Sequence, residues 1–188
     1  MDWEFAVLNY IQNNLRNGWL DIIMPMISML GAFGAAWIIM ALGSLFFKKT
    51  KEFGKTLTFT LLFDLIPCNF TFKPIVNRVR PYDLNTTIQI IVPPEIDPSF
   101  PSGHTFFAFS AATICFIYNK KLGVCMYILA ALIAFSRLYL YVHFPTDVAF
   151  GAVLGILSSI GAYYIEKLIL KKEHSVKETM PELEKETI

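Results

Sequence analysis

The sequence predicts an all-α, polytopic membrane helix bundle of about five crossing helices plus an N-terminal amphipathic helix, six core helices together. Three observations carry this. The chain is 55% apolar and 16% charged, against about 45–50% and about 25% in soluble domains. Five apolar stretches approach the roughly 20 residues that a hydrocarbon core requires. Basic residues collect in alternate connections, as they do in cytoplasmic loops. A net charge of +1 leaves no basic field, so nucleic acid is excluded as a partner.

Residues 2–17 come first. Trp3, Val7, Ile11 and Leu15 recur at helical spacing, while Glu4, Gln12, Asn13 and Arg16 take other faces. This predicts an amphipathic helix lying in the outer interface. A sixth crossing there would bury Asn9, Gln12, Asn13 and Asn14 at considerable cost.

The crossing stretches run over residues 22–47, 56–72, 106–118, 122–139 and 148–165. Gly31, Gly34 and Gly43 interrupt the first, and glycines in spans often mark close helix contact. The third is short unless the polar PSGHT start forms its first turn. Counting alternate sides, the lysine-bearing connections 48–55, 119–121 and 166–172 share one face, which should be cytoplasmic. Segments 73–104 and 141–147 then lie outside. Residues 1–172 read as one domain, and 173–188 as a charged, partly disordered cytoplasmic tail. Residues 81–99, rich in Pro, Asp and Asn, read as a structured outer cap. Cys68, Cys115 and Cys125 show no metal-ligand spacing and fit small buried hydrophobes.

Three outer segments place ionisable groups at the ends of spans. In KPIVNRVRP, Lys73 and Arg80 are seven residues apart, so a helix would put both cations on one face and Pro81 would end it. In FPSGHTFF, Pro101 can begin a helix whose first turn holds Ser102, Gly103 and His104. Free backbone amides and the helix dipole favour an anion there. In SRLYLYVHFPTD, a continuous helix would set Arg137 and His143 about 240° apart. They can converge only if the helix stops between them, and Pro145 supplies the expected break. Asp147 would then sit in the first turn of the next helix, four residues after His143 and within reach of its ring. Together, three cations, backbone donors and two histidines suit a phosphate ester and its charge-rich transition state.

Lys73-x6-Arg80-Pro81, Pro101-Ser-Gly-His104 and Ser136-Arg137-x5-His143-x3-Asp147 resemble the full three-part signature of the type 2 phosphatidic acid phosphatase superfamily, in order and at the expected spacing. The resemblance implies a membrane lipid phosphatase that works without metal or other cofactor. It implies that His143 attacks phosphorus to form a phosphohistidine, that Asp147 supports its imidazole, and that His104 protonates the leaving oxygen and then activates water. Lys73, Arg80, Ser102, Gly103 and Arg137 would hold the phosphoryl oxygens. The expected partners are membrane lipids and a lipid phosphate or diphosphate substrate. Undecaprenyl diphosphate comes first, with phosphatidylglycerophosphate or phosphatidic acid as alternatives. The expected location is the plasma membrane, with the site facing outward. Vanadate-dependent haloperoxidases share the signature but are soluble, which five spans disfavour. A silent lipid-binding or transport protein on the same scaffold is a reading of another class, and the intact histidines and Asp147 argue against it. Asp64, inside the second span and outside the signature, is expected to bond a neighbouring helix, with substrate contact or protonation coupling as the alternatives.

Overall fold

The structure is a computed structural model that describes residues 2–186, with side chains described as far as residue 172 and that of Phe33 excepted. Among the described residues it is all helical. Helix α1 (Asp2–Asn14) lies on the bundle. Helix α2 (Gly18–Gly31) starts at Asn17, whose side chain accepts from the amides of Trp19 and Leu20. A 3-10 turn over Ala32–Gly34, ending in the left-handed Gly34 (φ 68°), separates it from α3 (Ala35–Leu45). The two halves meet at 48°, so the first predicted span is a broken one.

Helix α4 (Lys51–Leu65) widens into a π-helix over Ile66–Phe72 and closes with α5 (Lys73–Val76). Pro67 lies in the first turn of the widened segment and Pro74 just after it, and each removes a backbone donor from the helical ladder. A short α6 (Pro81–Leu84) opens the cap. Helices α7 (Gly103–Tyr118) and α8 (Lys120–Tyr139) follow, joined by Asn119, whose side chain accepts from the Leu122 amide at 3.1 Å. Helix α9 runs from Pro145 to Glu186.

Three segments, Lys51–Leu84, Lys120–Tyr139 and Pro145–Lys172, are long and apolar enough to cross a membrane, and the bent α2–α3 pair makes a fourth. The fifth predicted span, α7, has 16 residues, or about 24 Å at 1.5 Å per residue. It begins at Gly103, so the polar start does form its first turn. The backbone of α9 continues through the expected tail, whose Glu and Lys are good helix formers. The tail's side chains lie outside the described residues.

Helix α7 is the axis of the bundle, packed by α4, α8 and α9. Its small Ala108, Ala111 and Ala112 are fully buried and let the neighbours close in. Gly155 of α9 shows how tightly: a Cβ there would stand 2.3 Å from the Phe106 carbonyl oxygen. Asp64 of α4 accepts from Ser110 of α7 and, at 2.5 Å, from Ser158 of α9. It is a three-helix tie, as expected. At one end of the bundle, Phe53 and Thr56 near the start of α4 meet Tyr118 at the end of α7. The lysine-bearing connections lie at that end, and all three signature segments lie at the other.

Helix α1 turns a different side inward than its apolar stripe suggests. Glu4, Leu8 and Ile11 are buried, whereas Trp3, Val7 and Leu15 are exposed. Leu8 packs on Tyr141 and Phe144 of the α8–α9 connection. Glu4 can be buried because Arg78 and Thr146 take up its carboxylate.

Candidate active site

The first segment does not form the single helix its spacing allows. Asn77 turns left-handed (φ 42°) and ends α5, and Arg80 is extended. Pro81 starts α6 rather than ending a longer helix. Lys73 and Arg80 still converge, because both reach the same residue, Asp97. Lys73 Nζ pairs with Asp97 Oδ2, and Arg80 Nη2 lies 2.7 Å from Asp97 Oδ1.

The second segment follows the expectation. Ser102 is the extended residue before α7 and Gly103 begins the helix. A Cβ on Gly103 would lie 3.7 Å from Lys73 Nζ, so the ammonium stands over this first turn. The Ser102 hydroxyl is 3.0 Å from that of Thr105, and its amide donates to the Asp147 carbonyl at 3.1 Å. His104 packs against the break in α2, with Cδ2 3.2 Å from where a Cβ on Gly31 would be.

In the third segment the helix stops at Tyr139, six residues before Pro145. Tyr141 adopts φ 61°, and Pro145 instead begins α9. The break therefore lies where the convergence of Arg137 and His143 needs it, but a left-handed tyrosine makes the turn. Arg137, 3% exposed, donates Nη1 to Ser28 of α2 and pairs Nη2 with Glu95. Its Nε is buried without a hydrogen-bond partner among the described residues.

His143 is 1% exposed and lies between two environments. Its Nδ1 faces Asp147 Oδ2 at 3.7 Å and Ser99 Oγ at 3.4 Å. The Asp147 contact is longer than a hydrogen bond, and Ser99 bridges it by donating to the same Oδ2 at 2.5 Å. The Phe144 amide also donates to Oδ2, at 2.8 Å. The other nitrogen, Nε2, faces the cations: Arg80 Nη1 at 3.4 Å, with Glu95 Oε2 beyond at 3.9 Å. Burial pushes the imidazole down to about 4. The Asp147 carboxylate opposes this, while Arg80 and Arg137 add to it. Burial and the two guanidinium groups thus favour the neutral imidazole, the form in which one ring nitrogen keeps its lone pair.

Several site residues carried no sequence signal. Glu95 links Arg80 (2.6 Å) and Arg137, and Asp97 links Lys73 and Arg80. Ser99 and Arg78 hold Asp147, the latter through Oδ1 at 2.6 Å. Only the arginine-rich NRVRP run and the acids of EIDP between the first two segments hinted at them. A cavity of about 250 Å³ lies over this cluster between residues 77–83 and 95–98. Among the described residues, no three His, Cys, Asp or Glu side chains are grouped to hold a metal ion. What the site offers an anion is three cations, helix amides and a neutral imidazole.

Comparisons with known proteins agree with this chemistry. Residues 53–170 match the PAP2 superfamily. An undecaprenyl-diphosphatase of Sulfolobus acidocaldarius is 29% identical over 86% of this chain and 76% of its own length. Phosphatidylglycerophosphatase B of Bacillus subtilis is 31% identical over 76% and 73%. The bacitracin transport permease protein BcrC of Bacillus licheniformis is 38% identical, but the match spans 47% of this chain and less than half, 43%, of that protein. Among solved structures, a transmembrane PAP2-type phosphatidylglycerolphosphate phosphatase from Bacillus subtilis superposes with a TM-score of 0.72 at 28% identity, covering 89% of this chain and 86% of that one. Aquifex aeolicus LpxE gives 0.74 at 29% identity, over 84% and 93%. With its match over more than half its length and its three segments joined at one end of a membrane bundle, this chain belongs to the PAP2 superfamily of lipid phosphatases.

Proposed function

We propose that the chain hydrolyses a lipid diphosphate, undecaprenyl diphosphate foremost, to the monophosphate and inorganic phosphate on the outer face of the plasma membrane. The observation that carries the reading is His143: buried, neutral, fixed through Nδ1, and with Nε2 turned towards Arg80. Nε2 attacks the terminal phosphorus, and the bond from phosphorus to the bridging oxygen breaks. His104 gives that oxygen its proton. The arriving phosphate supplies the negative charge that favours a protonated His104. Water then attacks the phosphohistidine, His104 takes its proton back, and phosphate leaves. Lys73, Arg80, Arg137 and the Ser102–Gly103 amides bind the oxygens in the transition state. The unpartnered Nε of Arg137 is a donor held ready for one of them.

The carboxylates of Glu95 and Asp97 now sit on these cations, and substrate must take their place. An apolar cleft of about 450 Å³, lined by Phe63, Phe72, Phe106 and Leu157 among others, lies beside α7. It begins next to Lys73 and suits the lipid chain of a substrate whose head is in the site. The outward orientation is supported by the lysine-bearing connections at the far end. The second reading, phosphatidylglycerophosphate, is favoured by the likeness to phosphatidylglycerophosphatases in both sequence and structure. The test is phosphate release in detergent with EDTA from undecaprenyl diphosphate, phosphatidylglycerophosphate and phosphatidic acid. Undecaprenyl diphosphate should show the highest kcat/KM, and His143→Ala should reduce it by at least roughly 10³-fold. Activity surviving that substitution would overturn the mechanism, and silence of the wild type on all three lipids would favour a non-catalytic scaffold.

A further inference from the structure

Arg78 is no part of the phosphate-binding set, yet it is bound on every side. Its Nη1 donates at 2.6 Å to Asp147 Oδ1 and at 2.6 Å to Thr146 Oγ1, and its Nη2 lies 2.6 Å from Glu4 Oε2. The Thr146 hydroxyl in turn donates to Glu4 Oε1 at 2.5 Å. The guanidinium stands 4.0 Å over the Phe144 ring, and Phe5 of α1 meets that ring edge-on at 5.3 Å. Glu4 is 4% exposed and Asp147 fully buried. Two buried carboxylates therefore share one guanidinium, and removing Arg78 would leave both of them buried without their cation.

The consequence falls on Asp147. Oδ2 takes Ser99 and the Phe144 amide and faces His143 Nδ1, while among the described residues Oδ1 is held by Arg78 alone. A carboxylate fixed at both oxygens cannot rotate away from the ring it orients. We propose that Arg78, itself held by Glu4 of the N-terminal helix, is a positioning residue for the Asp147–His143 pair, so that α1 belongs to the catalytic apparatus. This rests on the reading of His143 as the nucleophile. Arg78 also sets how much of Asp147's negative charge is left for the imidazole as phosphorus–nitrogen bonding makes it cationic. The other charged or titratable groups near His143 are Arg80, Arg137, Glu95 and His104, and the hydrogen bonds and ion pairs of the Arg78 side chain go elsewhere, to Glu4, Thr146 and Asp147.

The experiment compares wild type, Arg78→Ala, Arg78→Lys, Glu4→Gln and His143→Ala, purified in detergent, on the lipid diphosphate. Arg78→Ala should lower kcat about 10²-fold, the cost of a small misplacement at the reacting atoms, with KM changed less than twofold. Its acid limb of kcat/KM should move upward, because Asp147 without Arg78 favours the protonated imidazole. Arg78→Lys should recover part of kcat, and Glu4→Gln should lose severalfold in kcat at unchanged KM. Folded Arg78→Ala enzyme with wild-type kcat and acid limb would overturn the proposal. Should that variant fail to fold, Glu4→Gln decides, and wild-type kcat there has the same force. Activity in His143→Ala would instead sink the underlying mechanism, whatever Arg78 does.

Discussion

Glu95 holds Arg80 and Arg137, two of the three cations that the proposed mechanism assigns to the substrate. Burial alone would raise its carboxyl, but Arg137 and Arg80 outweigh that and hold it down to about 2. It therefore remains an ionised competitor for phosphate at every pH at which His143 is neutral. Glu95→Gln removes the charge but keeps the shape. Orthovanadate, which mimics the phosphoryl group in transit, should then inhibit about fivefold more tightly, or roughly 1 kcal/mol. Weaker inhibition would mean that Glu95 helps to build the phosphate site. Glu95 also shows where sequence reading stops. Lys73, Arg80, Ser102, Gly103, His104, Arg137, His143 and Asp147 could be singled out from the sequence, because each sits in a short run whose spacing carries chemistry. Arg78, Glu95, Asp97 and Ser99 could not. Their partners lie 15 to 74 residues away, and no local period encodes a contact across that distance.

At the scale of elements, apolar length located every helix pair, but polar and backbone detail fixed how the helices end. Lys73 and Arg80 were expected on one helical face, and instead a π-segment and a left-handed Asn77 deliver them to Asp97. The break between Arg137 and His143 was expected at Pro145 and occurs at Tyr139–Tyr141. In both cases the determinant is a non-glycine residue in the left-handed region. That conformation costs energy and is chosen by tertiary contacts: the Tyr141 hydroxyl, for example, bonds Asn9 of α1 at 2.8 Å. The α7–α9 contact is simpler, being a matter of space. Gly155→Ala places a methyl against backbone that cannot move aside, and should cost about 2–3 kcal/mol, or roughly 5–10 °C of melting temperature in detergent. Gly161, on the same helix with nothing within 4 Å of its notional Cβ, is the control. Gly161→Ala should melt as wild type, and equal melting of the two variants would refute the packing argument.

For the whole molecule, the arrangement of charge follows from one alternation. Helices α4, α7, α8 and α9 each run from one end of the bundle to the other, so lysines confined to alternate connections collect opposite the site. In the proposed orientation, with the lysine connections inside, Lys73, Arg80 and Arg137 are costly where they lie. They would then be cations on the side that positive charge avoids, and their ion pairs with Glu95 and Asp97 neutralise them. Orientation can be read directly with a single cysteine. Cys68 and Cys115 are buried, and Cys125 is exposed on α8 and would first be replaced by alanine. Ile96, at the fully exposed tip of the cap, and Lys49, exposed in the α3–α4 connection, are then converted to cysteine one at a time. In intact cells a membrane-impermeant maleimide should label Ile96→Cys and leave Lys49→Cys untouched until the membrane is opened. The reverse pattern would turn the bundle over and put the phosphatase site in the cytoplasm, where the substrate would have to be a lipid phosphate made or presented on the inner leaflet.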